Sequence, residues 1–257
     1  MTGHRFFVQP EQMAQGQITI RGPQARQICS VLRLQVGDTI AALDGSGCCH
    51  IARIGSVTKA EVIAEITDTR PVETEAAVKL TLAQALAKGN KVELVVQKAT
   101  ELGISEMVMF TSERTIVRPD GDRIEARLAR WRSIAREAAE QSGRAVIPQL
   151  GGPVGFTELL AQIPGFDLAL LAFENENSLL LGEAVANAKA GDRILLIVGP
   201  EGGFSEKEVS EAVTADAVSV SLGARILRTE TAAIAGCAII LHETERECPA
   251  KQQELPP

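Results

Sequence analysis

Ile194-Leu195-Leu196-Ile197-Val198-Gly199-Pro200-Glu201-Gly202-Gly203 is a run of five apolar residues that ends in a turn of glycine, proline and an acid. An apolar run of this length, closed by turn residues, reads as a strand buried on both faces. A second passage repeats the plan. Val218-Ser219-Val220-Ser221 alternates like a strand, and Leu222-Gly223-Ala224-Arg225-Ile226-Leu227-Arg228-Thr229-Glu230-Thr231-Ala232 follows it. Each passage reads as strand, tight loop, helix. In open α/β sheets ligands bind beyond the carboxyl ends of the strands, where such loops present backbone N–H and C=O groups. Two of them so close together point to one small-molecule pocket.

Working outward from these loops, Ser205 and Glu208 have capping-box spacing, so a helix starts at Glu206. Ala232 to Leu241 is apolar all round and predicts a helix buried in the core or in a subunit interface. Upstream, strands are expected at Val78–Leu82, Met107–Phe110 and Leu168–Phe173, and helices at Gly89–Leu102, Arg123–Gln141 and Leu179–Ala188. Gly103 fits a helix C-cap. In the Arg123–Gln141 helix, Ile124, Leu128, Trp131, Ala135 and Ala138 keep helical spacing beside a stripe of Arg123, Arg127 and Arg130. Alternation of this kind argues for a mostly parallel sheet with helices on both faces.

The first 70 residues or so read differently. Short strand-like runs at Arg5–Val8, Gln17–Ile20, Thr39–Leu43 and Val62–Ile66, a hairpin signal at Asp44-Gly45-Ser46-Gly47 and a short helix over Gln24–Leu34 make a small barrel. Thr69 to Glu75 is polar, contains proline and is expected to be a linker. Two domains follow from this reading, residues 1–72 and 73–257, and the tail over 249–257 is expected to fray.

Composition narrows the function. Hydrophobic residues make up 45% of the 257, enough to fill a core, but aromatics are only 3%, so that core is aliphatic. No secretory leader is visible in the first ten residues, and Ala232–Leu241 is too short to span a bilayer, so a soluble cytoplasmic protein is expected. The five cysteines (Cys29, Cys48, Cys49, Cys237, Cys248) form no framework, and Cys48-Cys49-His50 lacks a second ligand pair at zinc spacing. No metal is expected, and His4 and His242 are read as structural. The net charge of −7 argues at first against a nucleic-acid partner, but residues 114–144 carry eight arginines against five acids, while 145–257 carry seven basic residues against sixteen acids. That asymmetry permits a local anionic partner.

Neither a P-loop nor an early Gly-x-Gly-x-x-Gly is present, and no Ser/His/Asp or Cys/His set supports nucleophilic hydrolysis. Glu201 would put a negative charge into a phosphate cradle, so a neutral or cationic ligand fits the first loop better. The alternatives are an RNA-binding protein with a catalytically silent α/β domain, or an α/β enzyme using a nucleotide phosphate.

Val198 to Ser205 and Leu222 to Ala232 together resemble the signature of the RsmE family, the ribosomal RNA small-subunit methyltransferases of the SPOUT superfamily. Lys88-Gly89-Asn90-Lys91, Lys98 to Gly103, Arg130-Trp131-Arg132, Glu137 to Arg144, and Arg26 with Val31-Leu32-Arg33 agree with it. The resemblance implies a PUA-like RNA-binding β-barrel before an α/β domain whose C-terminal part is tied in a trefoil knot. It implies a homodimer through the knotted domain, with S-adenosylmethionine held between the knot loops. The implied reaction is methylation of N3 of a uridine in small-subunit ribosomal RNA, free or in the assembled subunit. The sulfonium makes the methyl group electrophilic without a metal, while uracil N3 needs a base or a stabiliser of the uracil anion. Arg228 is the candidate to orient or stabilise the uracil. Glu230 or Glu201 is the candidate to accept the proton, with a cap or loop role as the alternative for each. Cofactor contacts are expected from Leu171, from Gly199, Pro200, Glu201, Gly202 and Gly203, and from Leu222, Gly223, Ile226, Leu227, Thr231 and Ala232. The RNA path is assigned to Arg26, Arg33, Arg132, Gln141 and Arg144, by contacts that position without specifying.

Overall fold

The computed structural model of the chain describes residues 4–117 and 121–246, without the side chain of residue 122. Cys248 and the tail over 249–257 lie outside the described residues. The chain forms two compact units.

The first unit gathers the described residues of Met1–Glu75 with Ala139–Ile147. Its strands are β1 (His4–Phe7), β2 (Met13–Ala14), β3 (Gln17–Arg21), β4 (Thr39–Leu43), β5 (Cys48–Val57) and β6 (Glu61–Pro71), joined in the order β1-β4-β5-β6-β3-β2. β1 runs parallel to β4 and the other pairs are antiparallel. Side chains alternate across a strand, and every second residue is buried on one face: Ile18 and Ile20, Ile40 and Ala42, Ala52 and Ile54, Val62 and Ala64. Phe6, Ala25 and Ile28 complete this core. The Asp44–Gly47 turn joins β4 to β5 as its sequence predicts, with Asp44 Oδ1 accepting from the Ser46 amide at 3.0 Å. Helix α1 (Pro23–Arg26) is shorter than the expected Gln24–Leu34 and passes into a π-helical turn over Gln27–Val31. β6 reaches Pro71 because Thr69, Arg70 and Pro71 pair with His50, Cys49 and Cys48, so part of the expected linker is strand. Cys48 and Cys49 are half-buried strand residues with free thiols.

The second unit gathers Ala76–Ala138 with the described part of Pro148–Ala250. Its strands are β7 (Lys79–Ala85), β8 (Glu106–Thr111), β9 (Gln149–Gly155), β10 (Leu168–Ala172), β11 (Arg193–Val198) and β12 (Val218–Val220). All pairs are parallel, in the order β12-β10-β11-β7-β8-β9. The intervening helices are α2 (Lys91–Leu102), α3 (Gly121–Ser142, with its last residues in the first unit), α4 (Phe156–Leu160), α5 (Leu181–Ala184), α6 (Glu206–Thr214) and α7 (Thr229–Glu245). The apolar run that opens the reading is β11, an interior strand buried from Ile194 to Val198. The chain leaves β9 at one edge, crosses to β10, returns to β11 and goes out again to β12. That reversal is the kind of switch point at which α/β sheets bind ligands.

α7 packs on α2, β7 and β11. Its buried residues Ala233, Gly236, Cys237, Ile240 and Leu241 recur at three and four, so a single stripe faces the core. Burial pushes the Cys237 thiol up to about 12. The sheet's other face meets a cluster that includes Phe110, Phe156 and Phe204, with ring centroids 5.6–6.3 Å apart. Among the described residues no helix is long and apolar enough to cross a membrane.

Candidate functional site

β10, β11 and β12 run parallel and end on the same side of the sheet. Beyond them lies a cavity of about 450 Å³, within the range of small-molecule sites. Three loops make most of its wall, with Lys91 of α2 and Thr229 and Ala232 of α7 completing it. Gly199, Pro200, Glu201 and Gly203 come from the loop after β11; Ser221 to Arg228 come from the loop after β12; Phe173, Glu174 and Asn177 follow β10. The two glycine loops therefore share one cavity, as their sequences predict.

The first loop is fixed on every side. Gly199 follows β11 directly, and a Cβ there would lie 2.9 Å from Phe204 Cε2 in the aromatic cluster, so only glycine lets the chain pass that ring. Gly203 has φ +66°, and a side chain there would collide with the Glu174 carboxylate. The Gly199 carbonyl accepts from Thr229 Oγ1 at 2.6 Å, and Gln84 Nε2 donates to the same hydroxyl at 2.9 Å. Gln84 and Thr229 are both buried, so this bridge ties the end of β7, the loop and the start of α7 together. The Gly202 carbonyl accepts from Arg114 Nη1 at 3.0 Å. Glu201 Oε1 accepts from the Lys88 amide at 3.0 Å and from Lys91 Nζ at 2.9 Å. Burial alone would raise the Glu201 carboxyl, but the hydrogen bonds from Lys91, its own amide and the Lys88 amide outweigh it and hold the group below its ordinary value. At the loop's end the capping box forms, with the Ser205 amide donating to Glu208 Oε2 at 2.9 Å and the Glu208 amide to Ser205 Oγ at 3.3 Å. Glu208 Oε1 also accepts from the Glu113 amide.

The second loop is open. Arg225, Ile226 and Arg228 are exposed, Ile226 at 87%. Among the described residues the side chains of Arg225 and Arg228 make no hydrogen bond or ion pair, and both residues line the cavity. The loop is also shorter than its sequence suggests. Thr229, Glu230 and Thr231 form the first turn of α7, where a helix begun at Ala232 was expected. Glu230 Oε2 is buried, has no hydrogen-bond partner and lies 3.8 Å from Lys91 Nζ.

Of the residues assigned to the cofactor, Gly199, Pro200, Glu201, Gly203, Leu222, Gly223, Ile226, Leu227 and Ala232 line the cavity, together with Arg228. Three stand elsewhere. Leu171 is buried inside β10, and its neighbours Ala172 and Phe173 take the lining position. Gly202 faces Arg114, whose Cβ would be 3.1 Å from a Cβ at that glycine. Thr231 is exposed on α7 and does not reach the lining. Sequence reasoning missed Lys91, Glu174, Asn177 and Thr229. Lys91 stands in the Lys88-Gly89-Asn90-Lys91 motif but was given no role.

Arg26 and Arg33 are exposed in the first unit, and Arg33 has φ +54°. Gln141 is exposed too. Arg132 is exposed, with Nη2 3.4 Å from the Leu150 carbonyl. Arg144 is different: it is 3% exposed, with its guanidinium on the Glu75 carboxylate. The surface position expected for Arg144 is not what the fold provides, because burying an arginine beside a carboxylate makes it a structural pair.

The chain can now be set beside known proteins. A family profile described as an RNA methyltransferase domain matches residues 74–241. The ribosomal RNA small subunit methyltransferase E of Bacillus subtilis is 33% identical over 231 residues, covering 88% of this chain and 90% of that one. Its counterpart in Synechocystis is 36% identical over 230 residues, covering 89% and 74%. A crystal structure of a ribosomal RNA small subunit methyltransferase E from Neisseria gonorrhoeae bound to S-adenosyl methionine superposes with TM-score 0.85 and 34% identity, covering 94% of this chain and 98% of that one.

Proposed function

The chain belongs to the ribosomal RNA small subunit methyltransferase E family, and from that premise we propose that it transfers a methyl group from S-adenosylmethionine to N3 of a uridine in small-subunit ribosomal RNA. The observation that carries this reading is the single cavity shared by both glycine loops at the carboxyl ends of β10, β11 and β12.

The residues present fit that cofactor. The volume suits a nucleoside with an amino-acid arm. Phe173 and Phe204 give apolar lining, and Glu174, which has no hydrogen bond or ion pair among the described residues, faces the space with a negative charge suited to a cationic ligand. When bound, S-adenosylmethionine supplies an electrophilic methyl group. The backbone of Gly199, Gly203, Leu222 and Leu227 holds the ligand. Arg228, whose guanidinium has no partner among the described residues, stands at the cavity wall, orients the uracil and stabilises negative charge on its carbonyl oxygens. Glu230 takes the N3 proton on Oε2: it stands beside the lining residue Thr229 rather than in the lining itself, but that oxygen accepts no hydrogen bond, whereas the Glu201 carboxylate already accepts from Lys91 and the Lys88 amide.

In this account the first unit is a PUA-like barrel that carries the RNA, with exposed Arg26 and Arg33 on phosphates. A non-glycine residue at φ +54° is uncommon, which favours a functional reason for Arg33. Arg132 and Gln141 extend the path; Arg144 is left out because it is buried. The C-terminal part is knotted: Ser221 pairs with Leu179 and Leu181 beyond the edge of β10, whereas α7, a few residues later, lies on β7 and β11. A second copy covers the half-buried Ile234 and Ile239 of α7, giving a homodimer. The work is done in the cytoplasm, where small subunits are made.

Isothermal titration with S-adenosylmethionine tests the reading at its root. Micromolar binding that small-subunit RNA turns into methyl transfer is expected; no binding at high micromolar cofactor sinks it.

A further inference from the structure

Lys91 is the first residue of α2, following the N-cap position Asn90. A cation there opposes the helix macrodipole, so its place is not explained by helix stability. Its ammonium lies between two carboxylates from different cavity elements, 2.9 Å from Glu201 Oε1 and 3.8 Å from Glu230 Oε2. The three side chains are 31%, 29% and 13% exposed. For Glu230 the ammonium is the one cation within ion-pair distance among the described residues, and Oε2 has no hydrogen bond to replace it.

We propose that Lys91 is a positioning residue of the transfer site. Its ammonium pins the first loop through Glu201 and holds the Glu230 carboxylate in place at the start of α7. This rests on the transferase reading above. Without the ammonium, the first loop loses its tie to α2 and the buried Glu230 carboxylate beside the cavity loses its counter-charge. Cofactor binding must then order the loop. Glu201 belongs to the first loop alone, whereas Lys91 reaches both that loop and the start of α7.

The test uses the full-length protein. Lys91→Met is expected to weaken S-adenosylmethionine binding by titration about tenfold, and to lower kcat on small ribosomal subunits about tenfold. Glu201→Gln repeats mainly the loss of affinity. In a double-mutant cycle, Lys91→Met with Glu201→Gln binds the cofactor no worse than Lys91→Met alone, because both changes break one contact. The apo protein melts somewhat below the parent, as Glu201→Gln does, because the same ion pair is broken; Lys91→Gln is the second variant should methionine compromise folding. Affinity and kcat within twofold of the parent in both variants, or additive losses in the cycle, overturn the proposal. So does a lowered apo melting temperature with binding and turnover intact, which makes Lys91 merely structural. A parent protein that binds no S-adenosylmethionine removes the transferase reading and this inference with it, whereas an active parent with an equally active Lys91→Met removes this inference alone.

Discussion

The two glycine loops end neighbouring parts of one sheet and wall one cavity, yet they are built in opposite ways. In the loop after β11, the Gly199 and Gly202 carbonyls and the Glu201 carboxylate are all engaged by residues from elsewhere in the unit, and Phe204 closes it from below. In the loop after β12, the Arg225 and Arg228 side chains have no partner among the described residues and Ile226 stands out in solvent. A loop whose polar groups are satisfied internally is a rigid wall, suited to a ligand of fixed shape. One whose cations are left free is suited to a partner that arrives with its own negative charge. On the proposed reading the first loop is the fixed wall for the cofactor, and the second loop, which shares the cofactor through Leu222 and Leu227, also meets the RNA base.

The largest expected effect falls on the open loop. Arg228→Ala lowers methyl transfer by roughly 10²–10³, as loss of a charge-stabilising donor does, while cofactor affinity by titration stays within about threefold. A large loss of affinity with transfer retained at saturating cofactor would reverse the assignment of the loops. Next comes the rigid loop. Thr229→Val leaves the Gly199 carbonyl and a Gln84 amide hydrogen without their buried partner, so denaturant unfolding should show a loss of about 1–3 kcal/mol, with cofactor binding weakened as well. Unchanged stability would mean that the first loop is not held from beneath.

A smaller effect separates the loops by pH. The Glu201 carboxyl is held below its ordinary value in the folded protein, so its contribution to stability is complete above the ordinary carboxylate range and is lost as the pH falls through the folded value. Glu201→Gln should thus melt below the parent at pH 7, and the gap should close on acidification past pH 4.5, the unshifted value. A gap constant with pH would show that Lys91 does not hold this group. The smallest effect is on Ile226. Being 87% exposed, Ile226→Ala should change stability by no more than about 0.5 kcal/mol, while weakening capture of small-subunit RNA in a binding titration. A stability loss well above that figure would mean the second loop is packed.

Much of this was legible because it is local. β11, the capping box of α6 and the hairpin at Asp44–Gly47 depend on residues within a few positions of one another, and all three formed where the pattern put them. β9 was missed because Gly151-Gly152-Pro153 carries no strand pattern; it is tolerated at the sheet's edge, where a missing N–H costs little. The expected Leu179–Ala188 helix shrank to Leu181–Ala184, a stretch where Gly182 and Asn187 are weak helix formers. In the site, both loops were readable from glycine placement, while their lining residues followed from the family resemblance. Lys91 was not, because its partner Glu201 is 110 residues away. The burial of Arg144 was hidden for the same reason, since Glu75 lies 69 residues upstream. Pairs of that separation are made by the fold and leave no spacing in the chain.

The most direct test of the central claim is to incubate the protein with S-adenosylmethionine and small ribosomal subunits that lack the modification, digest the RNA and identify the methylated nucleoside by mass spectrometry. A single new 3-methyluridine that disappears with Arg228→Ala is expected. Unmodified RNA in the presence of bound cofactor, or a methyl group on a different nucleoside, would contradict it.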